Sequence, residues 1–415
     1  MQGRSRTLPI LARGTVQNGI PTVDSNLFLL CHIYQNTTVA IIRAFTHWLR
    51  SDLVQFAVGS LLLAPALVHA QTTISPARVF SGEGDIDDMT VWVHPSDPAE
   101  SLIIGADKGG NRLYVWDIDN GATPIQTVPT GMPGNIDARY DFPLNGGTDI
   151  VGFNVREADR RIELYAIDRS TRRLSRIDDG AIRALGETYG FCLGVDRTAS
   201  PPAFYAFKTA EDGRIEQFRL AANGTKIGGM LVRTMQQGMT EGCVADDANG
   251  YVYIGEEDGI LYRYDMDPST GAARINVENA SSNLESDVEG QTIYYTSGAK
   301  RYLILSSQGA GRFDVVEFSG AGPYAYKGAF TITGVGDTDG IDVSNRNLGS
   351  AFPQGIFVVH NGQDTSALTA VRWQDIASAL GLIIDTSFDP RVLADGGTTG
   401  GGTTTGGTTG GATGR

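Results

Sequence analysis

Short apolar runs alternate along the chain with turns rich in Gly, Asp and Asn. One set of runs reads SLIIGAD, IELYAID, AFYAFKT, YVYIGEE, YLILSSQ and GIFVVHN. Most of these lead into polar turns: DKGGN, AEDG, EEDG, QGAG and NGQD. A second set follows with alternating character: RLYVWDI, RIEQFRL, ILYRYDM, RFDVVEF and ALTAVRW. Alternation closed by turn residues predicts antiparallel strands, and the short apolar runs predict strands buried on both faces. Ahead of these pairs stands a third kind of run, FCLGV, CVADD, QTIYY and IDVS. These open on Tyr189-Gly190, Glu241-Gly242, Glu289-Gly290 and Asp339-Gly340, at spacings of 52, 48 and 50 residues. Strand repeats of roughly 40–50 residues are the pattern of a β-propeller. MTVWVHP after Asp88 and IVGFNV after Asp149 supply two further inner strands. The expected fold is all-β: a six-bladed β-propeller of mostly antiparallel four-stranded sheets, with blade 2 the least regular. A β-sandwich would explain the strands but not the repeat. No long helix is evident, only a short turn near 378–383.

The ends carry a different pattern. Residues 56–70, FAVGSLLLAPALVHA, follow Arg43 and Arg50 and end in Val68-His69-Ala70. This reads as a secretory signal peptide; the run is short for the ~20 residues of a membrane span. The tail GGTTGGGTTTGGTTGGATG is low-complexity and reads as a flexible linker. The expected division is 1–70 N-terminal extension and leader, 71–392 propeller, and 393–415 tail. The mature protein is expected to be secreted or periplasmic, without stable membrane insertion. Losing residues 1–70 removes five arginines and two aspartates, so the net charge moves from −14 to −17. Such a domain will not hold nucleic acid or anionic lipid by charge alone. Of three cysteines, Cys31 lies upstream of the cleavage; Cys192 and Cys243 remain, each inside a repeated strand. Export makes a disulfide between them possible, and two buried thiols is the other reading.

In a propeller, the start of each inner strand and the turn between second and third strands share one rim. Asp88, Tyr189, Glu241, Glu289 and Asp339 start inner strands; Lys108, Glu211, Asp212, Glu257, Asp258 and Gln308 occupy or flank the second turns. Crowded carboxylates raise one another's pKa or recruit a cation. Beyond residue 70 only His94 and His360 offer imidazole, so oxygen ligands dominate. That favours Ca²⁺, with Mg²⁺ or Mn²⁺ behind it. Lys108 and Arg139, the latter in NIDARYDFPLNGG, are suited to phosphate oxygens. Other nucleophiles lack support: there is no Gly-x-Ser-x-Gly, no Arg-His-Gly, and the Cys192–Arg197 run reads as core. A metal-activated water is the simplest nucleophile.

The segments DIDDMTVWVHPSDP, NIDARYDFPLNG, ELYAID, YGFCL, TEGCVADD, YIGEEDGILYRY, DVEGQTIYY, SSQG and DTDGIDV, in this order, resemble the β-propeller phytases, the calcium-dependent 3-phytase family. The resemblance covers about residues 80–375. It implies several bound Ca²⁺ ions, a bridging water that attacks phosphorus, and a neighbouring site for a second phosphate of inositol hexakisphosphate. Carried across, it implies calcium-site or water-orienting roles for Asp88, Glu241, Glu257, Asp258, Asp287, Glu289, Gln308 and Asp339. It implies phosphate contacts for Lys108, Arg139 and Tyr189, and a catalytic set of Lys108, Arg139, Tyr189, Glu241 and Glu257. Asp337 and Asp342 are further candidates that read equally well as turn caps. Glu211-Asp212 stands where the family often has Lys-Glu, so binding at the adjacent phosphate is expected to be weaker or altered. The substrate implied is phytate, as its calcium complex, acted on by a monomer. A calcium-dependent lactonase or esterase, or a non-catalytic binding propeller, are the competing readings.

Overall fold

The computed structural model describes residues 72–392; the expected leader, tail and Cys31 lie outside them. Six sheets stand around a central channel. Their inner strands are Ile86–Trp92, Pro133–Phe142, Phe191–Asp196, Cys243–Asp246, Val288–Tyr295 and Ile341–Ser344. Each packs on the next, and the sixth packs on the first. The ring is closed from the N-terminus: Arg78–Ser81 pairs antiparallel with Ala367–Arg372 as the outer strand of blade 6. Thr72–Ile74 adds a parallel fifth strand to blade 5 beside Ala325–Ile332. A single chain thus binds its last blade to its beginning.

The second strands are apolar for the reason the pattern suggests. Leu102–Asp107 and Ala203–Lys208 are buried along their whole length. Each lies between two neighbouring sheets, and each of the six blade–blade interfaces has its own apolar cluster. The interface of blades 1 and 2, for example, joins Trp92, Leu102 and Ile104 to Ile136, Val151 and Phe153. At about 1.5–3 kcal/mol for each fully buried large apolar side chain, these seams hold the ring together.

Blade 2 corrects the expectation. Its inner strand is Pro133–Phe142, and IVGFNV belongs to Thr148–Val155, the second strand. IELYAID accordingly supplies the third strand, Ile162–Ile167. Asp149 resembles an acid opening an inner strand but sits at the opposite end of the blade. There its oxygens accept bonds from Trp92 Nε1, Arg169 and Arg391. The near-repeat of an acid before an apolar run misled because first and second strands of one hairpin carry the same local signal.

Cys192 and Cys243 form a disulfide between the inner strands of blades 3 and 4, with Cα atoms 5.7 Å apart. The short helix is Trp373–Leu380. No described helix is long and apolar enough to cross a membrane.

Candidate active site

The two sets of rim residues do meet. Backbone bonds tie each second turn to the segment that precedes an inner strand. Lys108 N donates to Asp85 O (2.9 Å), Glu257 N to Met239 O (3.0 Å) and Gln308 N to Asp287 O (2.8 Å). The step residues then form a ring of close contacts. A Cβ on Gly190 would lie 1.9 Å from Glu241 O, and one on Gly242 would lie 1.9 Å from Glu289 O. One on Gly290 would lie 2.3 Å from Asp339 O. Glycine follows each rim residue because the neighbouring blade's backbone occupies the space of a side chain.

The same ring locates blade 1. Gly290 N donates to Asp339 O at 2.9 Å, and Gly340 N donates to Asp87 O at 3.1 Å. Asp87, not Asp88, is therefore the blade 1 counterpart of Glu241 and Glu289. Asp88 fills the position glycine holds elsewhere. Its Oδ1 accepts from Met89 N (2.8 Å) and its Oδ2 from Ile136 N (2.9 Å). Burial raises its pKa well above the carboxylate range. Both oxygens are committed to backbone, and Asp88 faces the channel interior.

Five carboxyl groups crowd the channel mouth. Glu241 lies beside Glu289, and Asp339 lies beside Asp87. Tyr189 stands beside Glu241 and Glu257. Gln308 Nε2 donates to Asp339 Oδ1. Burial, with Glu241 beside it, pushes Glu289 up to about 10. Burial and Asp87 push Asp339 up to about 9. Burial and Glu241 push Glu257 up to about 7. Burial and the same glutamates raise the Tyr189 phenol, so it stays a neutral hydrogen-bond donor.

Two cations answer this charge. Lys108 Nζ lies 2.5 Å from Asp87 Oδ1 and 3.6 Å from Asp85. Arg156 Nη2 lies 2.5 Å from Glu241 Oε1 and 3.8 Å from Asp87 Oδ2. Arg156 Nε donates to Tyr189 O (3.2 Å), and its guanidinium lies 4.8 Å from the centre of the Tyr189 ring. Asn135, with its amide oriented by its neighbours, donates to Glu241 Oε1 (2.9 Å) and Tyr189 O (3.2 Å). It is the blade 2 member of the ring.

Arg139 is not in this group. It lies on the inner strand of blade 2 with its side chain in the channel, Nη1 2.7 Å from Asp137 Oδ1 and Nε 2.9 Å from Asp247 Oδ2. These two carboxylates keep it charged despite burial. Asp342 is likewise interior: it accepts Val91 N and Val343 N, both at 2.7 Å, and two threonine hydroxyls. Glu211, Asp212, Asp258, Asp287 and Asp337 are exposed at the rim. Asp212 caps its own turn through Arg214 N (3.0 Å), and Asp337 sits at φ 50, a left-handed turn position. Lys208 cannot substitute for a rim lysine, since it is fully buried beside Glu216 (3.4 Å).

Sequence reading missed Asp85, Asp87, Arg156, Asn135 and His360. A signal existed for two of them. Counting from Asp87 keeps the ring in register with Glu241, and assigning IVGFNV to the second strand places Arg156 in the second turn, as Lys108 is in blade 1.

The fold and the mouth define a class: a six-bladed propeller whose channel entrance gathers carboxylates with a lysine and an arginine, a setting for cations and oxyanions together. The family model described as Phytase matches residues 53–396. The chain is 36% identical over 349 residues to the 3-phytase of Bacillus subtilis (strain 168), covering 79% of this chain and 90% of that protein. This chain belongs to the phytase family.

Proposed function

We propose that the protein hydrolyses phosphomonoesters of phytate with Ca²⁺ held at the channel mouth. The observation that carries this reading is a set of buried carboxylates with oxygens left over. Glu257 Oε1 and Glu289 Oε2 are buried without a partner, which is costly unless a cation meets them. An all-oxygen set of this kind fits a hard divalent ion. Asp87, Glu241, Glu257, Glu289, Asp339 and Gln308 would hold it, with Asp258 and Asp287 at the outer edge. Bound there, the metal supplies a water made nucleophilic at neutral pH and positive charge for the phosphoryl oxygens.

The chain's own groups do the rest. Lys108 and Arg156 stand on one side of the mouth and offer N–H donors to phosphate oxygens, Arg156 as a planar fork. Tyr189 donates from its hydroxyl. The Arg156–Glu241 pair holds both groups in place before substrate arrives, so little reorganisation is needed as charge develops. In the reaction, water oxygen bonds to phosphorus, the ester P–O bond breaks, and the inositol oxygen leaves with a proton. Glu211 and Asp212 lie on the blade 3 side. They make the adjacent position poor for a bare phosphate and better for one that carries its own calcium. Export to the periplasm or medium, and action as a monomer, complete the proposal. The test is phosphate release from calcium phytate with and without chelator, beside a lactone substrate. No phosphate release by the calcium-loaded protein would overturn it.

A further inference from the structure

Near the ends of the second strands stand side chains that hold the rim. Asn154 Nδ2 donates to Tyr189 O (2.9 Å), Thr209 Oγ1 to Glu241 O (2.6 Å) and Ser306 Oγ to Thr338 O (2.6 Å), each in the next blade. His360, at the matching place in blade 6, holds its own blade and accepts the Asp339 N–H on Nδ1 (3.1 Å). Thr209 does more than the others. It is fully buried. Tyr189 N donates to Thr209 O and Thr209 N donates to Gly190 O, both at 3.0 Å. Its Oγ1 also accepts from Gly190 N at 3.0 Å. Where blade 5 meets blade 6, and blade 6 meets blade 1, the glycine amide donates straight to the next blade's carbonyl. Where blade 3 meets blade 4, the Thr209 hydroxyl stands between amide and carbonyl and relays the bond, accepting from one and donating to the other.

Resting on the hydrolysis proposed above, we infer that Thr209 is a positioning residue whose hydroxyl sets where Tyr189 stands relative to Glu241. The Tyr189 carbonyl is held from blade 2 by Asn154 and Arg156. Glu241 precedes the inner strand of blade 4, Cys243–Asp246, which is only four residues long. So short a ladder leaves the place of Glu241 to what fastens blade 4 to blade 3. Two fasteners join them: the Thr209 hydroxyl, and the Cys192–Cys243 disulfide two residues past Gly190 and Glu241. Without the hydroxyl, the Gly190 N–H and the Glu241 carbonyl lose this partner in a buried place, a cost relieved when the two steps part or admit water. Either response moves the Tyr189 hydroxyl against the carboxylates. Lys108 and Arg156, which face phosphate, stay with blades 1 and 2.

The experiment compares the full-length protein, saturated with Ca²⁺, with Thr209→Val, which keeps the shape and loses the hydroxyl, and Thr209→Ser, which keeps the hydroxyl. The first readout is phosphate release from calcium phytate. A misplacement of ~1 Å costs on the order of 100-fold in rate, so Thr209→Val should lose roughly 10- to 100-fold in kcat. KM should stay within about threefold, and Thr209→Ser should restore kcat. Thr296→Val controls for a loss that comes only from stability. It removes a buried hydroxyl bond to Lys300 O (2.7 Å) just past the inner strand of blade 5, at the end away from the rim, and should leave kcat unchanged. The second readout is reduction of Cys192–Cys243 by dithiothreitol. Both cysteines are buried, so attack waits on opening of the seam; reduction should be at least ~10-fold faster in Thr209→Val and unchanged in Thr296→Val. Equal kcat in wild type and Thr209→Val, no recovery in Thr209→Ser, a matching loss in Thr296→Val, or equal reduction rates would overturn the proposal. Should Thr209→Val not fold, hydrogen exchange of the wild type takes its place: the Gly190 amide should exchange as slowly as those of Gly290 and Gly340, and fast exchange would overturn the relay. Reduction and exchange need no turnover, so failure of phytate hydrolysis is told apart from failure of the relay.

Discussion

Replacing Arg156 by Gln separates the two arginines that the sequence cannot tell apart. The variant loses the 2.5 Å pair with Glu241, the 3.8 Å approach to Asp87 and the bond to Tyr189 O. Removing one partner of a buried pair costs about 3–5 kcal/mol. Arg156 is 18% exposed and Glu241 5%, which places the loss near the lower end, about 3 kcal/mol. This loss should shrink when Ca²⁺ is added, because an ion beside Glu241 replaces the missing positive charge. Activity behaves differently. A charge-assisted hydrogen bond to a phosphate oxygen is worth roughly 1.5–3 kcal/mol, so kcat/KM should fall roughly 10- to 150-fold even with saturating calcium. Arg139→Gln should show the reverse pattern. It strands Asp137 and Asp247 inside the channel, so Tm falls with or without Ca²⁺, while kcat/KM per folded molecule stays within about twofold. The assays are phosphate release from calcium phytate and thermal melts at two calcium concentrations. If a folded Arg139→Gln protein loses turnover while Arg156→Gln keeps it, the assignment of the mouth is wrong.

Three further outcomes follow from the same geometry. Gly242→Ala drives a Cβ to 1.9 Å from Glu289 O, and backbone cannot yield as a side chain can. The melt should drop by more than the ~1–3 kcal/mol of ordinary overpacking, whereas Gly298→Ala, whose Cβ meets only Thr296 Oγ1 at 3.7 Å, should melt as wild type. The raised pKa values of Glu257 (about 7), Asp339 (about 9) and Glu289 (about 10) fix the sign of a pH effect in chelator. Their protonated forms suit the fold, so stability is present below the unfolded carboxylate pKa near 4 and is lost as pH rises through the folded values. Tm in chelator should fall from pH 5 to 9, and calcium added at pH 7 should release protons measurable by pH-stat; a flat Tm would contradict the crowded mouth. Glu211→Lys removes a charge that raises Glu257 and restores a cation at the adjacent phosphate position; KM for phytate should fall, and an unchanged KM would count against the proposed role of that turn.

The fold was legible because its signals are local. Strand alternation and turn residues are read within one repeat, the spacing of Glu241, Glu289 and Asp339 is read from one repeat to the next, and burial between blades leaves the apolar runs seen in Leu102–Asp107. The acids and the glycines behind them were legible for the same reason, although the cause of the glycines was not. That cause is a carbonyl 47 to 51 residues away in the next blade.

Register was decided only in three dimensions. Asp87 and Asp88 are adjacent in sequence and opposite in fate, since successive side chains of a strand face opposite ways. Arg139 lies on the inner strand of blade 2 and Arg156 in the turn just past the second strand of the same hairpin; one enters the channel and the other reaches the mouth. Ring closure by Arg78–Ser81, the Cys192–Cys243 bond and the meeting of Asp85, Asp87 and His360 each join residues brought together by the turn of the propeller. Sequence alone determined that this chain builds repeated blades with acids at one rim, because period and composition belong to each repeat. Which acids meet, and which cation meets them, was decided by the closed ring, because strand side and neighbour exist only once six blades share one channel.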